Sequence, residues 1–127
     1  MNPGYSQAYL YRGNSNFEKR EFEEAIKDFT RAIELDPTNS KAFTTRGIAN
    51  SQIKDFKGAI RDFSSALSID PDNILALNYR GLVYSREKEF QNALKDFDKV
   101  VSLNPQSADS FNNRGICNYQ MKNYEEA

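Results

Sequence analysis

The sequence predicts an all-α fold made of stacked helix-turn-helix repeats. Three markers recur with one period of about 34 residues: the dipeptide Arg-Gly, a proline preceded by Asp or Asn, and the motif Ala-Ile/Leu-x-Asp-Phe. A fixed period of this length is typical of supersecondary units that stack on their neighbours, because one unit cannot bury its apolar face alone. The Arg-Gly pairs stand at Arg12-Gly13, Arg46-Gly47, Arg80-Gly81 and Arg114-Gly115.

Each repeat is predicted to be a pair of antiparallel helices, as the second repeat illustrates. Ser40 follows a turn that contains proline, and apolar residues then recur at three- and four-residue spacing, which predicts an amphipathic helix ending near residues 53–55. Phe56 to Ile69 forms the second helix, which Pro71 ends because the residue before a proline is driven out of the helical region. The predicted single domain, 1–127, contains repeats at about 6–39, 40–73, 74–107 and, incomplete, 108–127.

The fourth repeat carries a whole first helix and only the start of a second. The first helix is predicted from about Ala108 to Gln120, and the second has only Tyr124 to Ala127. Repeat arrays normally close with a polar capping element, so the apolar residues of this helix lack a partner within the sequence. Two explanations stay open: the chain is a piece of a longer protein, or its end stacks on another copy.

Two repeated features are interpreted as structural. Glycine inside a helix costs about 0.5–1 kcal/mol relative to alanine, so a glycine that recurs at Gly13, Gly47, Gly81 and Gly115 indicates close helix packing, with Ala59 expected beside Gly47. In the first three repeats an aspartate follows the arginine of Arg-Gly by 16 residues, which places the two side chains at similar heights on opposing helices. The predicted interhelical pairs are Arg12 with Asp28, Arg46 with Asp62, and Arg80 with Asp96.

Composition argues against several classes of function. The 17 basic and 18 acidic residues give a net charge of -1, so no basic surface for nucleic acid is expected. No apolar run is long enough to insert into a membrane, and no secretory signal is visible. Histidine is absent, and the one cysteine, Cys117, shares a column with Ser15, Ala49 and Val83, which indicates packing. We therefore expect no enzyme activity, no metal, no cofactor and a cytoplasmic location.

These columns resemble the tetratricopeptide repeat, whose signature places Gly, Ala, Phe and Pro at fixed offsets within 34 residues. The chain departs from that signature in two columns, because arginine fills the leucine slot throughout and asparagine fills the tyrosine slot at Asn16, Asn50 and Asn118. The resemblance implies a right-handed α-solenoid whose first helices line a concave face that binds extended peptides or partner helices. The matching positions are Gly13, Ala25, Phe29, Pro37; Gly47, Ala59, Phe63, Pro71; and Gly81, Ala93, Phe97, Pro105.

The concave positions that the resemblance implies carry amide, aromatic and aliphatic side chains with little charge. Such a lining favours an extended, mostly uncharged peptide, because asparagine both donates to and accepts from a peptide backbone. The candidate peptide-binding residues are Tyr11, Asn14, Thr44, Thr45, Ile48, Asn78, Tyr79, Leu82, Asn112, Asn113 and Tyr119. Some family members clamp the C-terminal carboxylate of chaperones, but of the five corresponding positions, Leu10, Asn14, Thr45, Leu75 and Tyr79, only Asn14 fits.

Two functions follow from this interpretation. The first is a non-enzymatic protein-protein interaction module that binds a protein or peptide partner in the concave groove. The alternative is a self-assembling scaffold, a homo-oligomer that stacks end to end through the uncapped C-terminal repeat, where Phe111 and Tyr119 would make the contact.

Overall fold

The fold was obtained as a computed structural model, which describes residues 3–126 of the chain. Within that range every regular element is an α-helix, which confirms the predicted all-α fold of helical repeats. The helices are α1 Pro3–Glu18, α2 Phe22–Leu35, α3 Ser40–Gln52, α4 Phe56–Ile69, α5 Ile74–Arg86, α6 Phe90–Leu103 and α7 Ala108–Glu126.

The helices form two compact units, which divide between Pro71 and Asp72. In the first unit, α1 pairs with α2 and α3 pairs with α4, and α2 also packs on α3. In the second unit, α5 pairs with α6, and α7 packs mainly on α6. The first unit therefore consists of two sequential hairpins and the second of one hairpin followed by a single helix, as expected when each helix buries its apolar stripe against its chain neighbours.

The second helix of each hairpin supplies the core. Ala25, Phe29 and Ala32 of α2 are fully buried, as are Ala59, Phe63 and Ala66 in the same columns of α4. In α6 the corresponding residues are Ala93, Phe97 and Val100. Spacings of four, three and seven residues place these side chains on one face. The small residues let the helices approach closely around one phenylalanine ring.

Helix termini are defined by local hydrogen bonds. The side chains of Asn39 and Asn73 accept from the backbone N–H of Ala42 and Ala76, which satisfies donors that the first helical turn leaves unpaired. The second residue after the end of α1, α3 and α5 adopts a left-handed conformation, with φ of 64° at Arg20, 66° at Lys54 and 63° at Lys88. The next N–H then bonds back to the helix, as from Asp55 to the carbonyl of Asn50 at 2.8 Å.

The fourth repeat differs from the expected hairpin. The first helix was expected to end near Gln120, but α7 continues without a turn through Lys122 and Tyr124 to Glu126; Ala127 lies outside the described residues. Met121 packs on the Phe90 and Phe97 cluster, and the Tyr124 ring lies 5.7 Å from that of Phe90. Lys122 occupies the column in which Arg20, Lys54 and Lys88 adopt positive φ, but it lies within the continuous helix α7.

Glycine allows close packing in three of the four repeats, but its neighbour is not the alanine that we expected. A Cβ at Gly47 would lie 2.7 Å from Cε1 of Phe63, so Phe63 and not Ala59 occupies the space beside the glycine. The same holds for Gly13 with Phe29 and for Gly81 with Phe97. Ala59 lies one helical turn before Phe63, on the same face of α4.

The arginine and aspartate columns meet in all three hairpins. Arg46 donates from Nε and Nη2 to the two carboxylate oxygens of Asp62 at 2.9 and 2.7 Å, and Arg80 binds Asp96 in the same way at 2.8 and 2.7 Å. Arg12 Nη2 is 2.6 Å from Asp28 Oδ1. The hydrogen bonds that Arg12 and Arg80 donate to Asp28 and Asp96 raise the pKa of both guanidinium groups, which therefore stay cationic.

Candidate functional site

In the first unit, a cleft of about 280 Å³ lies between α1 and α3. Its polar groups are mainly amides, and Lys41 is its only charged lining residue. The lining residues are Gln7, Leu10, Tyr11, Asn14, Asn39, Lys41 and Thr45. The two first helices of consecutive repeats thus form a groove in which amide groups stand beside an aromatic ring.

In the second unit, a cleft of about 250 Å³ lies at the corresponding place, between α5 and α7, and α6 contributes to its lining. Leu82 and Ile116, each about half exposed, form apolar walls, and Arg86 is the only charged lining residue. The lining residues are Leu82, Ser85, Arg86, Phe97, Asn113, Ile116, Cys117 and Gln120. Both clefts therefore combine apolar walls, amides and one cation.

Three of the five candidate residues in the first unit line its cleft. Tyr11, with 69% of its surface exposed, presents its ring there, next to the partly buried Asn14. Thr45 lines the cleft with its hydroxyl bonded to the Lys41 carbonyl at 3.0 Å. Two expected contact residues, Thr44 and Ile48, are only 1% and 9% exposed and are not among the residues that line the cleft. The Thr44 hydroxyl donates to the carbonyl of Ser40 at 2.9 Å.

In the second unit, the cleft brings together Leu82 and Asn113 but not the other four candidates. Asn112 and Tyr119 are exposed on α7 outside the cleft lining, and Tyr79 is partly buried on α5. Asn78 lies one helical turn before Leu82, and its Oδ1 is a buried acceptor with no hydrogen-bond partner among the described residues. Such an atom costs free energy until a donor reaches it.

Sequence reasoning missed several lining residues. Arg86 follows Leu82 by four residues and Gln120 follows Ile116 by four, so extending the stripe by one helical turn would have found both. Asn39 was not identified because it precedes α3 as its N-terminal cap. Phe97 and Cys117 reach the cleft only because α5, α6 and α7 meet there, which no single-helix pattern predicts.

In the third repeat, Tyr84 occupies the column that asparagine fills in the other repeats, and its partial burial affects its pKa. Desolvation raises the pKa of Tyr84, against an opposing effect of the nearby Arg80. The phenol therefore stays protonated at neutral pH and can act only as a neutral hydrogen-bonding group.

Two kinds of feature bear on other functions: groups of residues that could hold a metal ion and helices that could span a membrane. Between residues 3 and 126, no group of three or more His, Cys, Asp or Glu residues is placed to hold a metal ion. None of the helices described combines the length and apolar character that crossing a bilayer requires. What the clefts present is contact area and hydrogen-bonding groups, which suits recognition of a polypeptide.

Helical hairpins with clefts between consecutive first helices define the class of repeat proteins that bind other proteins. The family model of the tetratricopeptide repeat matches residues 6–39 and 74–107, which together are more than half of the chain. The chain therefore belongs to the tetratricopeptide repeat family, as the sequence resemblance predicted. No curated protein matches the sequence.

Solved structures of tetratricopeptide repeat domains share the fold. The first such domain of Spaghetti (RPAP3), bound to the HSP90 peptide SRMEEVD, has a TM-score of 0.92 and 23% identity, over 96% of this chain and 97% of that one. The Arabidopsis OM64 domain has a TM-score of 0.88 and 24% identity, over 92% and 97%. The second human RPAP3 domain, in complex with the HSP70 peptide SGPTIEEVD, has 0.87 and 24%, over 92% and 98%.

Proposed function

We propose that this chain is a non-enzymatic interaction module that binds an extended peptide segment of a protein partner along the first helices of its repeats. The observation that carries the proposal is the repetition of one kind of cleft in both units, between α1 and α3 and between α5 and α7. A cleft lined by amides and apolar side chains suits an extended polypeptide, which presents backbone groups and side chains at regular intervals.

The chemistry of the clefts restricts the partner. The amides of Gln7, Asn14 and Asn113 can pair with backbone N–H and C=O groups of the ligand, and Leu82 and Ile116 suit apolar side chains. Each cleft lining contains one cation, Lys41 or Arg86, and no acidic residue, so neither cleft suits a highly charged ligand. The preferred ligand is thus a largely uncharged segment with alternating apolar and amide side chains.

The relatives bound to HSP90 and HSP70 peptides support peptide binding by this fold. Their ligand type is not carried over, because Leu10, Leu75 and Tyr79 supply no cation for a terminal carboxylate.

The test is a peptide library of uncharged and singly charged ten-residue segments, followed by fluorescence anisotropy with the tightest binder. Tyr11→Ala and Leu82→Ala should each weaken binding about tenfold, which corresponds to about 1.4 kcal/mol. The matched controls are Tyr5→Ala and Leu103→Ala, which remove exposed side chains of the same types from α1 and α6 outside both clefts. Equal losses in the cleft and control variants would disprove the groove.

A further inference from the structure

The cleft between α1 and α3 contains a cation that no described acidic residue neutralises. Lys41, the second residue of α3, is exposed and lines this cleft. Lys27 and Lys99 form ion pairs with Glu24 and Asp72. Lys41 forms no such pair with any residue that the structure describes, so its charge is available to a ligand.

The sequence around Lys41 explains why it lacks an acidic partner. On a helix, an acidic residue three or four positions away can pair with a lysine, as Glu24 does with Lys27. The corresponding positions around Lys41 hold Pro37, Thr38, Thr44 and Thr45. Across the cleft, the described lining residues on α1 are uncharged. The ammonium group therefore stands in a neutral lining.

This charge is a property of the first cleft and not of the repeat. The other residues in the column of Lys41 are Gln7, Leu75 and Asp109. Gln7 lines the same cleft as Lys41, whereas neither Leu75 nor Asp109 is among the described residues that line the cleft of the second unit. A preference that depends on Lys41 is therefore expected in the first cleft alone.

An aromatic surface lies one helical turn from the level of Lys41. Gln7 and Lys41 occupy the same position in consecutive repeats, and Tyr11 follows Gln7 by four residues, about 6 Å along α1. The Tyr11 ring is exposed in the cleft. In an extended peptide, side chains two residues apart lie on one face, about 6.6 Å from each other. Such a pair of side chains can reach Lys41 and Tyr11 together.

We propose that the first cleft selects a peptide with one acidic side chain, which Lys41 binds, two residues from an apolar side chain that packs on Tyr11; this selection rests on the proposed function of the clefts. The ammonium group of Lys41 donates to the carboxylate. The amides of Gln7 and Asn14 pair with backbone groups of the ligand. Because the described lining offers no second cation, the residues that flank the acidic one are uncharged.

The carboxylate belongs to an Asp or Glu side chain and not to a chain terminus. Asn39 precedes Lys41 at the start of α3, and Asn14 lies two helical turns beyond Gln7 on α1, so amides line the cleft on both sides of the cation. A chain that continues in both directions can pair with both sets of amides. A chain that ended at Lys41 would leave one set without a ligand partner.

The ligand side is tested with the library of ten-residue segments, each capped by a fluorophore and a C-terminal amide so that neither end is charged. We expect the tightest binders to carry one Asp or Glu two residues from an apolar residue. Replacing the acidic residue by its amide, or moving it next to the apolar residue, should weaken binding about fivefold. Equal affinity of the acidic and amide peptides would overturn the proposal, as would binding that requires a free C-terminal carboxylate.

The protein side is tested with Lys41→Gln, which should weaken binding of the acidic peptide about fivefold and leave that of the amide peptide unchanged. The matched control is Lys57→Gln, because Lys57 is also an exposed second residue of a helix, forms no ion pair with a described residue and lies outside the cleft. The control should change neither affinity. Equal losses in the two variants would show an effect of overall charge and would overturn the proposal.

Tyr11→Ala separates this selection from the proposed function, because it should weaken binding of the acidic and amide peptides alike. If Tyr11→Ala weakens binding and Lys41→Gln does not, the groove stands and the selection of an acidic residue is wrong. If neither variant changes affinity, the groove fails and the selection fails with it. Lys41→Glu should bind a peptide with Lys in place of the acidic residue about fivefold more tightly than the parent does, and the absence of that gain would contradict the proposed pairing.

Discussion

At the scale of single residues, Arg46 connects three helices. Its Nε and Nη2 bind Asp62 of α4, its Nη1 donates to Thr30 of α2 at 3.1 Å, and its guanidinium stacks on Phe43 of α3. The family signature places leucine in this column. This chain therefore uses directional charged hydrogen bonds where that signature uses apolar packing, which fixes the register of the helices.

We predict that Asp62→Asn lowers the free energy of unfolding by about 3–5 kcal/mol, because it leaves the partly buried Arg46 without its counterion. The Asp62 side chain is 6% exposed and that of Arg46 22%. Denaturant unfolding followed by circular dichroism measures the change.

The matched control is Glu34→Gln, which removes one partner of the Arg31–Glu34 pair, where both side chains are more than half exposed. Pairs of that kind contribute about 0–1 kcal/mol. If Asp62→Asn costs no more than Glu34→Gln, the interhelical pair does not stabilise the fold.

The residue scale also shows what the sequence could and could not predict. The constant spacing of 16 residues was sufficient to predict the Arg–Asp pairs. The role of Asn50, which donates to Asp62, was missed because an asparagine in a tyrosine slot looks like a simple departure from a pattern. Thr44 and Ile48 were misplaced because helical spacing defines a face but not the edge at which a neighbouring helix covers it.

At the scale of elements, the turn after each first helix shows how packing decides backbone conformation. Lys54 adopts a φ of 66°, which costs a residue with a side chain about 1–2 kcal/mol. In the second repeat, burial of Ala59, Phe63 and Ala66 offsets that cost. Lys122 stands in the same column, but the residues after it offer no comparable burial and the helix continues. The sequence column alone could not reveal this difference.

Replacing lysine by glycine should have different effects on the free energy of unfolding at positions 54 and 122, which tests this explanation. Lys54→Gly should leave the free energy of unfolding unchanged or raise it by up to about 1 kcal/mol, because glycine adopts positive φ without a steric cost. Lys122→Gly should lower it by about 1 kcal/mol, because glycine inside a helix is unfavourable. Thermal unfolding gives the stabilities, and NMR Cα shifts of residues 121–126 report the helix. Equal effects of the two substitutions would show that Lys122 already occupies a turn.

At the scale of the whole molecule, the period was the most informative property of the sequence. Because every repeat uses the same columns, four weak patterns in register were enough to predict the helices, the hairpins and the family. The two clefts were predicted only in part. Lining residues on the first helices follow from helical spacing, whereas Phe97 lines the second cleft only because α5, α6 and α7 meet there. Partner identity is less accessible still, because a fold does not determine which side chains a ligand carries.

The last prediction concerns the ligand that similar domains bind. We expect the peptide SRMEEVD to show no saturable binding to this chain up to about 1 mM, weaker than about -4.1 kcal/mol. Its terminal carboxylate and its acidic side chains need several cations, whereas Leu10, Leu75 and Tyr79 are uncharged and each cleft lining contains one cation. Isothermal titration calorimetry is the measurement, with the same peptide as a C-terminal amide for comparison. Micromolar binding that amidation abolishes would show that Lys41, Arg86 or another cation can hold a carboxylate, and the ligand proposed for the clefts would then have to be an acidic C-terminus.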